Sequence, residues 1–257
     1  YKVILSNLVG TETTFDLKVV GSPVNFDLIT DPNAASDIDQ CANGAKANPQ
    51  TGVDCTGSAW QNGDLNSNNS HYIEGNSVPY RALLTNLSNG SHYIDIEIDI
   101  KHQGKHALDF YTFYDRINEN VSPNDIRLSF IQSNFTIPPP AVNTTTGTPG
   151  GISQPDTAFG ALLSAEKVIS FFGPTAGTHI TGLQYVPNAN GNLGDLSAAT
   201  SSSRLRVFFD VASGDTEAIL AWGGHIATAG HWGFGNSAGG ISGAPYHSRV
   251  IGFDTNG

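Results

Sequence analysis

The chain has 257 residues, enough to bury a sizeable core as one large β domain or two small ones. Only 14% of them are charged, 23 acidic against 12 basic for a net charge of -11, and no Lys/Arg cluster offsets that balance. Nucleic acid is thereby excluded as a partner, because its phosphates require a basic patch. A membrane span is excluded as well, since no run reaches the roughly 18 apolar residues that a helix needs. Gly, Asn, Ser and Thr dominate, the composition of a turn-rich extracellular β protein. Methionine is absent even at position 1, which predicts a mature product with Tyr1 as a processed terminus.

In chain order, Tyr1–Ser6 and Thr14–Val20 read as two strands bounded by glycine and proline, with a short third at Val24–Ile29. From Thr30 to Ser70 the β signal gives way to D-P-N, N-G, N-P and T-G steps, which predict a long connection. Strands return at Val78–Leu84 and Tyr93–His102, and the N-L-S-N-G-S between them is the chemistry of a hairpin turn. In the second of these, Ile94, Ile96, Ile98 and Ile100 alternate with Asp95, Glu97, Asp99 and Lys101. A strict period of two places the isoleucines in the core of a half-buried strand and the carboxylates on a solvated or inter-subunit face.

Ala107–Tyr114 and Ile126–Gln132 follow as strands, and then a Pro/Gly/Thr stretch over 137–155 that no central strand or helix can use. That stretch is either a boundary between two closely joined β lobes or a long loop. Phe159–Phe172 contains the one segment with helical character, although V-I-S-F-F within it suits a strand equally. Thr178–Val186, Arg204–Ala212 and Glu217–Trp222 complete the strands, ahead of a glycine-rich tail. So many short strands separated by turns predict an all-β fold, an antiparallel sandwich or jelly roll.

Cys41 and Cys55 lie 14 positions apart in a loop-like segment. A disulfide there would contribute roughly 3 kcal/mol by the chain-entropy argument and suits an oxidising compartment. Six N-x-S/T sequons begin at Asn68, Asn86, Asn89, Asn120, Asn134 and Asn143, and they point to export and surface glycosylation. Asp64, Asn66 and Asn68 place oxygens at alternate positions, as calcium loops do. The expected glycine is Asn69 and Glu74 falls one place short, so a structural calcium is a candidate and no cofactor is required.

Catalytic signals are weak. Asp95, Glu97 and Asp99 lie on one face about 6–7 Å apart, whereas glycosidase carboxylates flank a cleft from different strands. The pairs His102/His106 and His225/His231 lack a zinc spacing motif. Gly240-Ile241-Ser242-Gly243-Ala244 misses the last glycine of a nucleophile elbow. The reading is accordingly not an enzyme.

Five blocks carry a resemblance: Trp60–Asn66 (W-Q-N-G-D-L-N), Tyr72–Arg81 (Y-I-E-G-N-S-V-P-Y-R), Gly104–Phe110 (G-K-H-A-L-D-F) with Tyr114-Asp115-Arg116, Leu220–Ala227 (L-A-W-G-G-H-I-A) and Ile241–His247 (I-S-G-A-P-Y-H). From Ala59 onward the chain resembles a recurrent domain of large secreted or cell-surface proteins of bacteria and archaea. The resemblance implies export and a surface role and no known reaction. It favours one continuous unit over 59–257, with 1–58 as N-terminal strands and a disulfide-closed loop.

Two functions are in view. The first is an extracellular or cell-surface structural subunit of a filament, sheath or surface layer, self-associating into a polymer. The apolar Val3, Ile4 and Leu5 would add to the open sheet edge of a neighbouring copy. The second is a secreted glycan-binding or adhesion module, with Trp60, Trp222 and Trp232, joined by Phe234 and Tyr246, as an aromatic platform for sugar rings.

Overall fold

The computed structural model describes residues 3–6, 12–15, 34–45, 54–116, 120–142, 156–242 and 247–254. Within them the strands are β1 (Val3–Ser6), β2 (Glu12–Phe15), β3 (Ala35–Cys41), β4 (Trp60–Gln61), β5 (Ser77–Thr85), β6 (Gly90–His102) and β7 (Lys105–His106). They continue with β8 (Leu108–Thr112), β9 (Ile131–Thr136), β10 (Val168–Gly173), β11 (His179–Val186), β12 (Ser201–Val211), β13 (Glu217–Ile226) and β14 (Ser248–Phe253). Two short helices, α1 (Asp156–Gly160) and α2 (Ala229–Trp232), complete the order. The strand at Val24–Ile29 lies outside the described residues.

Two antiparallel sheets face each other. A seven-stranded sheet runs β4-β3-β5-β13-β10-β9 with β8 on β13, and a five-stranded sheet runs β11-β12-β6-β14 with β7 on β6. The isoleucines of β6 meet Phe171, Phe209, Leu220 and Trp222 in one buried core, with the Phe171 and Phe209 rings 4.8 Å apart across the sandwich. Tyr111 on β8 also ties the sheets. Its hydroxyl sits 3.0 Å from the Ile96 carbonyl and 2.9 Å from that of Ser203, and burial pushes its pKa well above the phenolic value.

β5 and β6 do not form the hairpin that their turn chemistry predicts: β5 pairs with β3 and β13, while β6 pairs with β12 and β14. Asn86 takes φ 56° and Leu87 turns into the core, with its N–H bonded to the Thr216 carbonyl at 3.0 Å. Burying Leu87 between the layers carries the chain from one sheet to the other. Gly223 makes room where β13 meets β8, since a Cβ there would lie 2.3 Å from Thr112 Oγ1.

Strands from both sides of 137–155 share each sheet, with β5 beside β13 and β6 beside β12. Ile137 is buried in the common core, so that stretch joins strands of one sandwich. The division at 58/59 is likewise crossed by the β3–β5 ladder. β3 itself forms where a connection was expected. Its A-S-D-I-D-Q-C has a single large aliphatic residue, and an edge position asks for no more.

Ile126–Phe130 is turn, and the strand expected there begins at Ile131. The segment 159–172 divides into the end of α1, a 3-10 turn at Ser164–Glu166 and β10. β14 emerges from the tail, five of its residues paired along β6 with a bulge between Val250 and Gly252.

The largest correction concerns the acidic row of β6. Asp95, Glu97 and Asp99 are 5%, 6% and 6% exposed, so they form neither a solvated nor an inter-subunit face. Arginines from both flanking strands lie over them in register. Arg206 holds Asp95 with two bonds of 2.7 and 2.9 Å, Arg204 reaches Glu97 at 3.1 Å, and Arg249 bridges Glu97 at 3.3 Å and Asp99. The Arg206 guanidinium also covers the Tyr93 ring, 3.9 Å from its centre.

Cys41 and Cys55 are joined in a disulfide with Cα atoms 5.5 Å apart. Together with Trp60, Tyr114, Val121 and Phe172 they form a second buried cluster, in which Arg81 stacks 4.7 Å over Trp60 and pairs with Asp39 and Asp125.

Two stability outcomes follow from these contacts. Glu97→Ala strands Arg204 at a largely covered site, while Arg249 keeps Asp99, and lowers the unfolding free energy in urea by about 3 kcal/mol. Cys41→Ser with Cys55→Ser costs about 3 kcal/mol, read as a lower urea midpoint than that of the oxidised protein.

Candidate functional site

Backbone bonds bring the second, third and fourth blocks together, and described residues of the first, second, fourth and fifth line one cleft. Glu74 is the staple. Its carboxylate accepts from Ser237 Oγ at 2.6 Å, Gly239 N at 2.8 Å and Ala229 N at 2.8 Å. Burial raises its pKa, but these three donors outweigh it and hold the carboxyl below its ordinary 4.5. Backbone bonds join the same parts: Gly75 N to Ile226 O at 2.9 Å, Ala227 N to Ala107 O at 2.9 Å and His106 N to Asn236 O at 2.8 Å.

Beneath this layer Asp109 accepts from Trp232 Nε1 at 3.0 Å and faces His225 Nδ1 at 3.1 Å. His225 stacks on Phe110 with centroids 4.4 Å apart, and His106 stacks on Trp232 at 3.4 Å. Burial, then the neighbouring Lys101, pushes the His106 pKa down to about 3. Both histidine pairs therefore place a member in aromatic packing. Among the described residues no group of three or more His, Cys, Asp or Glu side chains is disposed to hold a metal.

Beside this assembly, between the β3 edge of one sheet and the start of β14 in the other, lies a polar cleft. It consists of two adjoining hollows of about 140 and 110 Å³. Gln40, Asp64, Tyr80 and His247 line both. Gln61, Asn62 and Asp64 come from the first block, Tyr72 and Tyr80 from the second, Ile226 from the fourth and His247 from the fifth. At the mouth, His247 Nε2 stands 3.9 Å from Asp64 Oδ1, with side chains 53% and 69% exposed. On the floor, Tyr80 stacks on Trp222 at 5.8 Å.

The other sequence-marked residues fall as follows. Trp60, Trp222 and Trp232 are 6%, 0% and 3% exposed, so they make core and not a sugar platform. Their indoles are held inside, as in Trp222 Nε1 to Ser248 Oγ at 3.0 Å. Phe234 alone of that set is bare, and Tyr246 lies outside the described residues.

Asp64, Asn66 and Asn68 share one turn. Asn66 Oδ1 accepts from Asn68 N at 2.9 Å, and Asn69 Oδ1 from Asn66 N at 2.7 Å. Asn68, Asn86, Asn89, Asn120 and Asn134 are all exposed, and Asn143 lies outside the described residues. Asn120 donates to Asp54 at 2.9 Å, and Asn134 accepts from Ser170 Oγ at 2.7 Å. Ser242 follows a 3-10 turn at Ala238–Gly240, and its carbonyl accepts from Gln103 at 3.3 Å.

β1, which carries Val3, Ile4 and Leu5, pairs antiparallel with β2. Among the described residues this ribbon is hydrogen-bonded to neither main sheet. At the far edge of the seven-stranded sheet, among the described residues, β9 pairs with β10 alone. Its I-Q-S-N-F-T carries no charge and no proline. Ile131 and Phe135 are 48% and 36% exposed there, next to Ile126 and Leu128 at 44% and 77%. Sequence reasoning missed this edge, because an uncharged strand gives the same signal whether a neighbour covers it or not.

Compared with protein-family models, curated proteins and solved structures, the chain gives no match. No helix among the described residues is long and apolar enough to cross a membrane.

The neutral state of His106 sets a pH dependence. The unfolded chain takes up a proton near the ordinary 6.5 and the folded chain only near 3, so the stabilisation present above 6.5 is lost as pH falls towards 3. His106→Phe keeps a ring against Trp232 and removes the titration. Melting temperature measured against pH should fall less steeply in that variant between pH 6.5 and 4.5, above the range in which Glu74 contributes.

Proposed function

We propose that the protein is an extracellular structural subunit of a cell-surface filament, sheath or surface layer, in which β1 of one copy adds to the β9 edge of the next. The observation that carries this reading is the undefended β9 edge. Natural sheets protect their edges with charge, proline, bulges or covering segments. The others here have such protection: β3 carries Asp37 and Asp39 and is flanked by β4, β11 has a bulge between Ile180 and Gly182, and β14 carries Arg249. Among the described residues β9 has no charge, proline or bulge; β11 touches it through Ile180 N, which donates to Ser133 Oγ at 3.2 Å, without pairing to its main chain, and β9 presents two large apolar side chains beside two more.

The donor is the apolar start of the chain. Among the described residues β1 pairs with β2 alone, so addition to β9 does not require the ribbon to open. Contact between two different surfaces repeats without closing and yields a fibre. Main-chain bonds between the four residues of β1 and β9 would supply affinity, and alternate side chains would fix the register. Export is supported by the Cys41–Cys55 disulfide, by the sequons and by the resemblance of the five blocks to secreted surface proteins. The role calls on the fold for surface and mechanical continuity and on no catalytic group.

Negative-stain electron microscopy and light scattering test this directly. The intact chain is expected to form filaments whose assembly is at least tenfold weaker, about 1.4 kcal/mol, in Phe135→Lys, and lost on deletion of residues 1–6. Filaments that persist unchanged in both variants, or an intact chain that stays monomeric, would show the assignment to be wrong.

A further inference from the structure

We infer that the cleft between β3 and β14 is a binding site for an uncharged saccharide. The argument rests on the lining, on its rigidity and on its size, and it is independent of the β9 edge.

No Lys or Arg lines either hollow, so a phosphate, sulfate or carboxylate ligand would find no counter-charge there. What the cleft offers is a mixture of side-chain amides, one free carboxylate, an imidazole and tyrosine rings. Amides both donate and accept, which suits hydroxyl groups that do the same. The carboxylate of Asp64 accepts only, and among the described residues the imidazole of His247 stands 3.9 Å from it. Two hydroxyls on adjacent carbons can both donate to such a group. The apolar share of the lining, from Ile38, Leu65, Val78 and the faces of Tyr72 and Tyr80, matches the C–H face of a pyranose. An apolar ligand would leave unused the amide oxygens of Gln40 and Asn62, the Gln61 amide nitrogen and the Asp64 carboxylate, and would cover them at a desolvation cost.

The polar groups are held in place. Gln40 Nε2 is bonded to the Gly63 carbonyl, Asn62 Nδ2 to Asp37 at 3.2 Å and Tyr72 OH to the Cys41 carbonyl at 3.0 Å. The disulfide beneath Tyr72 fixes that wall, which lowers the ordering cost of binding. At about 140 and 110 Å³ the hollows are smaller than drug-sized pockets of about 300–1,000 Å³, so one sugar ring and part of a second would fill them. The aromatic platform sought among the tryptophans is thus replaced by a tyrosine floor under a polar rim.

Saturation-transfer NMR with the methyl glycosides of glucose, galactose, mannose and N-acetylglucosamine, one at a time at millimolar concentration, tests the site. At least one glycoside should receive saturation and shift the side-chain amide signals of Gln40, Gln61 and Asn62. Its affinity should fall about tenfold in Asp64→Ala and again in Gln61→Ala. Unaltered melting temperatures in these two exposed-side variants would separate lost contact from lost fold. No transfer to any of the four, equal affinity in the variants, or tighter binding of inorganic phosphate to the same amides would overturn the proposal. Phe135→Lys is expected to retain binding in full, so failure of filament assembly and failure of this site are distinguishable.

Discussion

The structure depends on how β6 is covered on both faces. Its isoleucines need an apolar layer, which the second sheet supplies. Its carboxylates need counter-charges, which Arg204 and Arg206 on β12 and Arg249 on β14 supply along the ladder. Three buried acids without those partners would each carry a desolvation cost of several kcal/mol. The register of β12 and β14 is therefore set from two sides. A slip of one residue would expose the apolar set and strand the charges together.

That constraint places the rest. With β6 in the centre of the five-stranded sheet, the chain before it must cross from the other layer, which the buried Leu87 accomplishes. After β7, which stays beside β6, β8 must cross back, and its Tyr111 then hydrogen-bonds to β6 and β12 from the opposite sheet. β14 arrives from the glycine-rich tail, bringing His247 and Ser248 to the edge of β3. The cleft is the gap left between these two edges, and its walls are the blocks that Glu74 and Asp109 hold together. The motif residues thus serve the fold first: Asp109, His225 and Trp232 bond to one another, Glu74 bonds to Ser237, Gly239 and Ala229, and Gln61, Asn62, Asp64 and His247 face the cleft.

The two proposed surfaces lie on different elements and use different physics. In the proposed roles the β9 edge would offer main chain and apolar side chains to a strand, and the cleft would offer fixed amides and a carboxylate to hydroxyl groups. A surface subunit that both polymerises and holds neutral sugar would couple a structural layer to the polysaccharide around it.

Much of this was legible in the residues alone. The period of two in Tyr93–His102, the turn chemistry between short strands and the spacing of Cys41 and Cys55 follow from local geometry, and they define an all-β chain with one disulfide. Local pattern also marks which face of β6 is apolar. It cannot say what lies opposite the other face, because Arg204, Arg206 and Arg249 are more than a hundred positions distant and meet the acids only through strand order. The same limit hid the crossing at Leu87, the sheet position of β3 and the burial of Trp60, Trp222 and Trp232, whose composition suits a core and a surface platform equally. Sequence determined the elements and their two faces, through interactions that reach a few residues along the chain. Tertiary structure alone decided which charges are neutralised, which edge stays open and which blocks wall the cleft, since those depend on long-range pairing.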